Sequence, residues 1–356
     1  MTKIVSYRKL YKKVIKHFYI TMLFVKITRK NKLSVGLQAV TFASVLCFAY
    51  PTWGQQATKT NLRKDVCEPI AKVISKGNSN WPFLKQLCDN DVINSSSVVE
   101  VFCYLNGRIL NISSGEVGKV CLISSEQVRG CSYKKIGDCP KIKGPDEDDA
   151  PTLITPHGVA ILNSRPTISW IDSPMATSYI VQIEGKGVNW SVEIQDTQLP
   201  YPQDQPALQP GNVYNLNVIV KQGDEPKTAT SSVFALIAQQ RAEKVQGIIK
   251  RLEELNMPQD ELAIDANYVY GAENLLNKAI EVLESQVKSG SQNPTVYRLL
   301  GERYLEVNLS DLAKQAYTKA IRLAQKKGDT NELVKARAGV QILNQIQLPM
   351  RRKAPQ

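Results

Sequence analysis

The sequence predicts a multidomain chain: a small disulfide-braced α+β or β domain, then a β-sandwich, then an all-α region of helical repeats. Three observations carry this expectation. Six cysteines crowd into the 73 residues from Cys67 to Cys139, and none occurs in the final 217. Short strand-like runs with alternating apolar residues, separated by turn residues, fill about 152–237. After Leu236 the apolar spacing changes from every second residue to every third or fourth. At 356 residues the chain is long enough for two or three cores.

The first element, 1–54, reads as a signal peptide or an N-terminal membrane anchor. It holds ten Lys/Arg and no Asp or Glu, and ends in the apolar stretch Leu33 to Gly54. Lysines ahead of an apolar stretch keep that end in the cytoplasm, so the remainder is expected to be exported to the periplasm or cell envelope. About 20 apolar residues also suffice to span a bilayer, so an uncleaved anchor in the inner membrane stays open beside cleavage. Met22 would give a conventional leader if translation began there. Cys47 follows Ser44-Val45-Leu46, without the small residue that lipoprotein processing needs, so no lipidation is expected.

Charge follows the same division. Taking the leader's ten from 45 basic residues leaves 35 against 33 acidic ones, so the net +12 belongs almost wholly to the leader. A near-neutral body offers no electrostatic footprint for phosphates, which excludes nucleic acid as a partner. Membrane contact is expected only through the N-terminal segment.

The second element, 60–143, is the cysteine-rich β domain. Cys67, Cys88, Cys103, Cys121, Cys131 and Cys139 form an even set in an exported segment, the pattern of a disulfide framework. No C-x-x-C pair occurs, which disfavours a metal site. Sequence order makes Cys103–Cys121 and Cys131–Cys139 the first pairings to test. A short helix is expected from Asp65 to Lys76. Strands are expected at 98–105, 108–112 and 117–123, with Asn106-Gly107 closing a hairpin because both residues tolerate positive φ. From Trp81 to Cys121, the progression Trp81, Cys88-Asp89, a polar strand and Asn106-Gly107 resembles the FecR-like β domains of bacterial envelope proteins. An acidic linker, 144–151, follows; Asp146-Glu147-Asp148-Asp149 reads as repelling, solvated carboxylates rather than a calcium loop.

The third element, 152–237, carries strands at 166–170, 177–185, 188–194, 213–220 and 231–237, the spacing of a sandwich. Trp170 ends an early strand, Tyr179 sits in the next, and Leu208-Gln209-Pro210-Gly211-Asn212-Val213-Tyr214 matches a Leu-x-Pro-x-x-x-Tyr corner. The segment thus resembles fibronectin type III and related Ig-like modules, and the resemblance implies that Tyr214 donates its hydroxyl to nearby backbone. Trp190 is either a sheet-packing aromatic or, on a water-facing side, a partner contact.

The fourth element, 238–348, is helical. Ala238, Val245, Ile248, Ile249, Leu252 and Leu255 share one face. Counting Pro294 as the first of 34 positions puts Tyr297 fourth, Leu300 seventh, Gly301 eighth, Tyr304 eleventh, Ala313 twentieth, Tyr317 twenty-fourth and Ala320 twenty-seventh. This resembles a tetratricopeptide repeat. Close packing of two helices needs Gly or Ala, and the tyrosines fill the gaps beside them. Gln325 replaces the usual proline, which predicts a longer second helix. Moving back 34 residues sets Tyr270 against Tyr304, Ala279 against Ala313 and Leu283 against Tyr317, a second unit at about 260–290. Thr330 to Gln345 reads as a capping helix, and 349–356 as a basic tail.

The resemblance implies a groove faced by Thr295, Arg298, Glu302 and Leu305. Arg298 is then placed to hold a partner carboxylate. Alternatively, Arg298 and Glu302 are an exposed i,i+4 pair worth a few tenths of a kcal/mol. No catalytic signature accompanies these modules. His157 is the sole histidine after the leader, no G-x-S-x-G presents a serine, and 115–120 (GEVGKV) lacks Walker spacing. The expectation is a non-enzymatic scaffold or adaptor, without cofactor or metal, binding an envelope protein or peptide. The second reading makes the sandwich a carbohydrate- or wall-binding module using Trp190 and Tyr201, with a glycan as partner. The combination of modules resembles envelope proteins of cyanobacteria.

Overall fold

Four antiparallel strands open the described part of the chain, in the order β2-β1-β3-β4. They are β1 (Ala71–Val73), β2 (Gln86–Leu87), β3 (Val92–Cys103) and β4 (Arg108–Glu116). The computed structural model describes residues 67–76, 80–121, 150–156 and 160–347. The leader, the Cys131–Cys139 pair, the Asp146–Asp149 run, His157 and the basic tail lie outside the described residues.

Two disulfides brace this sheet, Cys67–Cys88 and Cys103–Cys121, with Cα separations of 5.9 and 5.5 Å. The second is the pairing that sequence order favours. Each closes a loop of about 20 residues, worth about 3 kcal/mol by restricting the unfolded chain. The hairpin forms at Asn106-Gly107: Gly107 has φ 61°, and Asn106 Oδ1 accepts from the Arg108 N–H at 3.0 Å.

Two expectations for this region are corrected. No helix runs through Ala71–Val73; these residues form a strand between β2 and β3. Ala71 and Val73 lie in the core of the sheet's own domain, and Lys72 is turned to Glu261 and Asp265 on its other face. Conversely, the expected strand at 117 is a short helix, α1 (Val117–Cys121). Its N-terminal N–H groups are captured end-on, Val117 by the Asp91 carbonyl at 2.8 Å and Gly118 by that of Asp89 at 2.7 Å. A Cβ on Gly118 would meet the Asp89 oxygen at 2.5 Å, so the turn needs glycine there.

The middle of the chain forms two further sheets. One has the order β10-β7-β5, from β5 (Thr152–Thr155), β7 (Thr167–Ile171) and β10 (Gln198–Pro200). The other has the order β6-β12-β11-β8-β9. It is built from β6 (Ala160–Ile161), β8 (Ser178–Gly185), β9 (Val188–Ile194), β11 (Val213–Gln222) and β12 (Glu225–Leu236). Every strand expected here is present. Ile168 and Trp170 from the first sheet share one buried core with Val181, Leu216 and Phe234 from the second. The Tyr214 hydroxyl accepts from the Gln209 N–H at 2.7 Å and reaches the Lys186 and Gln209 carbonyls only at 3.5 and 3.4 Å. The hydroxyl thus donates to nearby backbone as expected, over long distances, and its shortest bond is the one that it accepts from Gln209.

Six helices complete the chain: α2 (Gln239–Glu253), α3 (Gln259–Ala272), α4 (Leu276–Lys288), α5 (Pro294–Glu306), α6 (Ser310–Lys327) and α7 (Thr330–Gln347). Proline at the first turn of α5 is capped by Asn293 Oδ1, which accepts from the Thr295 N–H at 3.0 Å. Helix α6 passes through Gln325 unbroken and ends at Gly328, φ 67°. The turns after α3 and α5 repeat in detail. Asn274 and Asn308 both adopt positive φ, and the N–H groups of Leu275 and Leu309 bond to the Tyr270 and Tyr304 carbonyls at 2.9 and 2.8 Å.

Tyr297, Leu300, Gly301, Tyr304, Ala313, Tyr317 and Ala320 are all buried between helices. Tyr317 shows why small residues are needed. A Cβ on Gly301 of α5 would come within 2.9 Å of its ring, and one on Gly339 of α7 within 2.4 Å. The ring thus fills space that two glycines on different helices leave open. Gly339→Val is expected to destabilise the chain by about 1–3 kcal/mol through overpacking, read as a lower urea midpoint with unchanged slope.

Candidate functional site

The disulfide-braced sheet packs on the helices. Ile74 and Phe102 enter a common core with Val245, Leu252 and Val269. The Gly107 turn lies so close to α3 that a Cβ there would meet Val269 Cα at 2.9 Å. Within this contact Lys72 is fully buried; its Nζ lies 3.0 Å from Glu261 Oε2 and 2.8 Å from Asp265 Oδ2. Beside it, the Tyr104 ring stacks on Tyr268 with centroids 4.6 Å apart and planes at 17°. Arg251 and Glu100 pair at 2.8 Å on the rim.

An open cleft of about 210 Å³ borders this contact. Its helical wall follows the 34-residue register. Thr295 and Arg298 of α5 line it, as do Glu261 and Ile264 of α3, which sit 34 positions earlier. Asp329 and Glu332, 34 positions later, continue the row at the start of α7. Pro69, Gln86 and Tyr104 of the disulfide-braced sheet form the opposing wall, joined by a hydrogen bond from the Tyr104 hydroxyl to Gln86 Oε1 at 2.8 Å.

Of the four residues expected to face a groove, Thr295 and Arg298 line the cleft, and Glu302 adjoins it through Arg298. Leu305 does not: it is buried in the helical core with Leu300 and Leu309. The Arg298–Glu302 contact exists, at 2.6 Å, but it is not an exposed surface pair. Arg298 is only 5% exposed. Its Nε donates to Glu332 Oε2 at 2.6 Å, and its Nη2 lies 3.3 Å from Glu332 Oε1. The guanidinium is thereby satisfied within the chain, joining α5 to α7.

Trp190 and Tyr201 are corrected as exposed aromatics. Both are buried; Trp190 Nε1 donates to the Tyr201 hydroxyl at 3.1 Å, and Tyr201 donates to the Pro206 carbonyl at 2.6 Å. Neither presents a ring face to a sugar. Strand pairing turns Trp190 inward with Val188, towards the core beneath Ile183.

Lys72 and Asp265 escaped the sequence reading. Their only signal is a charged residue inside an apolar context, Ile-Ala-Lys-Val-Ile at 70–74 and Ala-Ile-Asp-Ala at 263–266. Such residues are rare in cores unless paired.

No protein-family model matches the chain, and a search of curated proteins finds no match. Among the described residues, no group of three or more His, Cys, Asp or Glu is placed to hold a metal ion, and no helix is long and apolar enough to cross a membrane.

Burial pushes the Asp265 carboxyl up to about 7, against the opposing pull of Lys72. Apart from the Lys72 ammonium at 2.8 Å, neither of its oxygens has a hydrogen-bond partner, so little else favours the anion. The folded chain then keeps a proton that the unfolded chain releases at about pH 4. Stability from this group is complete below pH 4 and is lost as pH rises to about 7, by at most about 1.4 kcal/mol per pH unit. Relative to Asp265→Asn, the natural chain is expected to lose stability between pH 5 and pH 8 in urea unfolding. A natural chain that gained on the variant over that range would show that Lys72 holds Asp265 as an anion throughout.

Proposed function

We propose that this chain is an exported, non-enzymatic scaffold or adaptor that docks an envelope protein, or a peptide segment of one, in the cleft between the helices and the disulfide-braced sheet. The observation that carries the reading is the 34-residue row of cleft-lining positions on α3, α5 and α7. Equivalent residues of successive helical units face one concavity, the arrangement by which helical arrays build extended binding surfaces. On this reading α3 to α7 are a tetratricopeptide-like array, a view supported by the matching turns at Asn274 and Asn308 and by the glycine-bounded Tyr317. The two middle sheets are a sandwich of the fibronectin type III or Ig-like kind, with Tyr214 as its corner. The first sheet is FecR-like.

Export fits the two disulfides, which persist in oxidising compartments such as the periplasm. Arg298 is already paired inside the chain, Lys335 lies 3.8 Å from Glu332, and Gln86 Oε1 is taken by Tyr104. The groups that meet a partner are then Thr295, Asn331 and the Gln86 side-chain NH2, with backbone and ring surface between them. Such a surface suits an extended, polar segment.

Thr295 and Asn331 are the residues to block. Thr295→Tyr/Asn331→Tyr fills the cleft from two helices without touching the buried ion pairs. Pull-down from envelope extract is expected to recover a partner with the natural chain and to lose at least ten-fold of it with the variant. Equal recovery from both would place the docking surface elsewhere.

A further inference from the structure

The sheet side of the cleft is built next to cystines. Pro69 lies two residues after Cys67, Gln86 two before Cys88, and Tyr104 directly after Cys103. The two bridges differ in access. Cys103 and Cys121 are 0% and 1% exposed, inside the core of the sheet. Cys67 and Cys88 are both half-buried, at the sheet's outer edge. A solution reductant therefore reaches one bridge and not the other, since exchange needs attack by a thiolate on an accessible sulfur.

The accessible bridge holds what the hydrogen bonds around it hold weakly. Strand β2 is two residues long and lies at the sheet edge. It is tied to β1 by a few backbone bonds, among them Ile70 N–H to the Leu87 carbonyl and Val73 N–H to that of Lys85, both at 2.9 Å. Gln86 on β2 is the acceptor that fixes the Tyr104 hydroxyl. Releasing β2 thus frees Gln86 and leaves the Tyr104 ring held by its stack on Tyr268 and its edge contact with Phe102, with no partner for its hydroxyl on the sheet.

We infer that Cys67–Cys88 is a redox latch on the cleft: a dithiol reductant opens it while Cys103–Cys121 stays closed, and the loosened wall weakens the hold on a partner. In the step, a thiolate of the dithiol attacks Sγ of Cys67 or Cys88. The Sγ–Sγ bond breaks and a mixed disulfide forms. The second thiolate then closes the reductant's own disulfide, so two electrons and two protons end on the Cys67 and Cys88 thiols. The consequence for a partner rests on the docking reading; the opening of the wall does not.

The test uses the oxidised full chain titrated with dithiothreitol. Free thiols are trapped by alkylation, and amide hydrogen exchange is read by mass spectrometry. Cys67 and Cys88 are expected to be labelled at reductant levels that leave Cys103 and Cys121 unlabelled. Exchange over 69–73 and 85–87 is expected to rise at least ten-fold, with β11 and β12 unchanged. Cys67→Ser/Cys88→Ser should reproduce that pattern without reductant. Both bridges opening together, or unchanged exchange in the reduced chain and in the variant, would overturn the latch. Equal partner capture by oxidised and reduced chains would overturn its effect on binding. Capture of no envelope protein by the oxidised chain counts against the docking reading alone, and the exchange data still decide the latch.

Discussion

An ammonium group removed from water must find negative charge nearby, and Lys72 finds it on another part of the chain. The cation sits on β1, in the sheet that the disulfides brace, and its carboxylates, Glu261 and Asp265, sit one turn apart on α3. Apolar contact between Phe102, Ile74 and the helices supplies area without direction. The charge contact is directional: a one-residue slip of β1 would turn Lys72 to the other face and leave two buried ionisable groups, Lys72 and Asp265, unpaired. The position of the cleft follows from it. Tyr104 meets Tyr268, and Pro69 and Gln86 face Thr295 and Arg298, only in the register that Lys72 sets.

The chain therefore occupies part of this helical face with its own residues. Glu261 and Tyr268, at register positions equivalent to Thr295 and Glu302, are engaged by Lys72 and Tyr104 of the same chain. What remains open is bounded by α5, α7 and the edge of the sheet. On the proposed reading, a partner meets a wall made from two kinds of structure, one packed from helices and one held by a cystine. Arg298 has a corresponding structural part. It ties Glu302 on its own helix to Glu332 on α7, which fixes the far side of the same cleft.

Legibility in the sequence followed the range of the interactions. Strands of the middle sheets and the helices from Leu236 onward were readable because alternation and 3.6-residue spacing are local. The spacing of Tyr297, Gly301, Tyr304 and Tyr317 was readable because closely packed helices need small residues beside large rings, a pattern that shows within one helix pair. The Ala71–Val73 strand was not, since a three-residue run buried on both faces has no alternation to show. Val117–Cys121 misled because its β-branched residues favour a strand, while the carbonyls of Asp89 and Asp91, supplied by a distant turn, capture its first N–H groups. Counting positions gives Leu305 an outward face, and tertiary packing turns it inward; for Trp190, which alternation leaves open between packing and contact, the structure shows packing. The half of the cleft contributed by Pro69, Gln86 and Tyr104 had no sequence signal, because it arises from pairing residues almost two hundred positions apart.

The central claim is that the Lys72 contact holds the disulfide-braced sheet on α3. It is tested most directly by urea unfolding of Lys72→Met and Lys72→Met/Asp265→Leu above pH 7. Losing the cation alone strands two carboxylates and is expected to cost about 3–5 kcal/mol, and replacing the buried carboxylate as well is expected to restore most of it. A Lys72→Met chain as stable as the natural one would contradict the account.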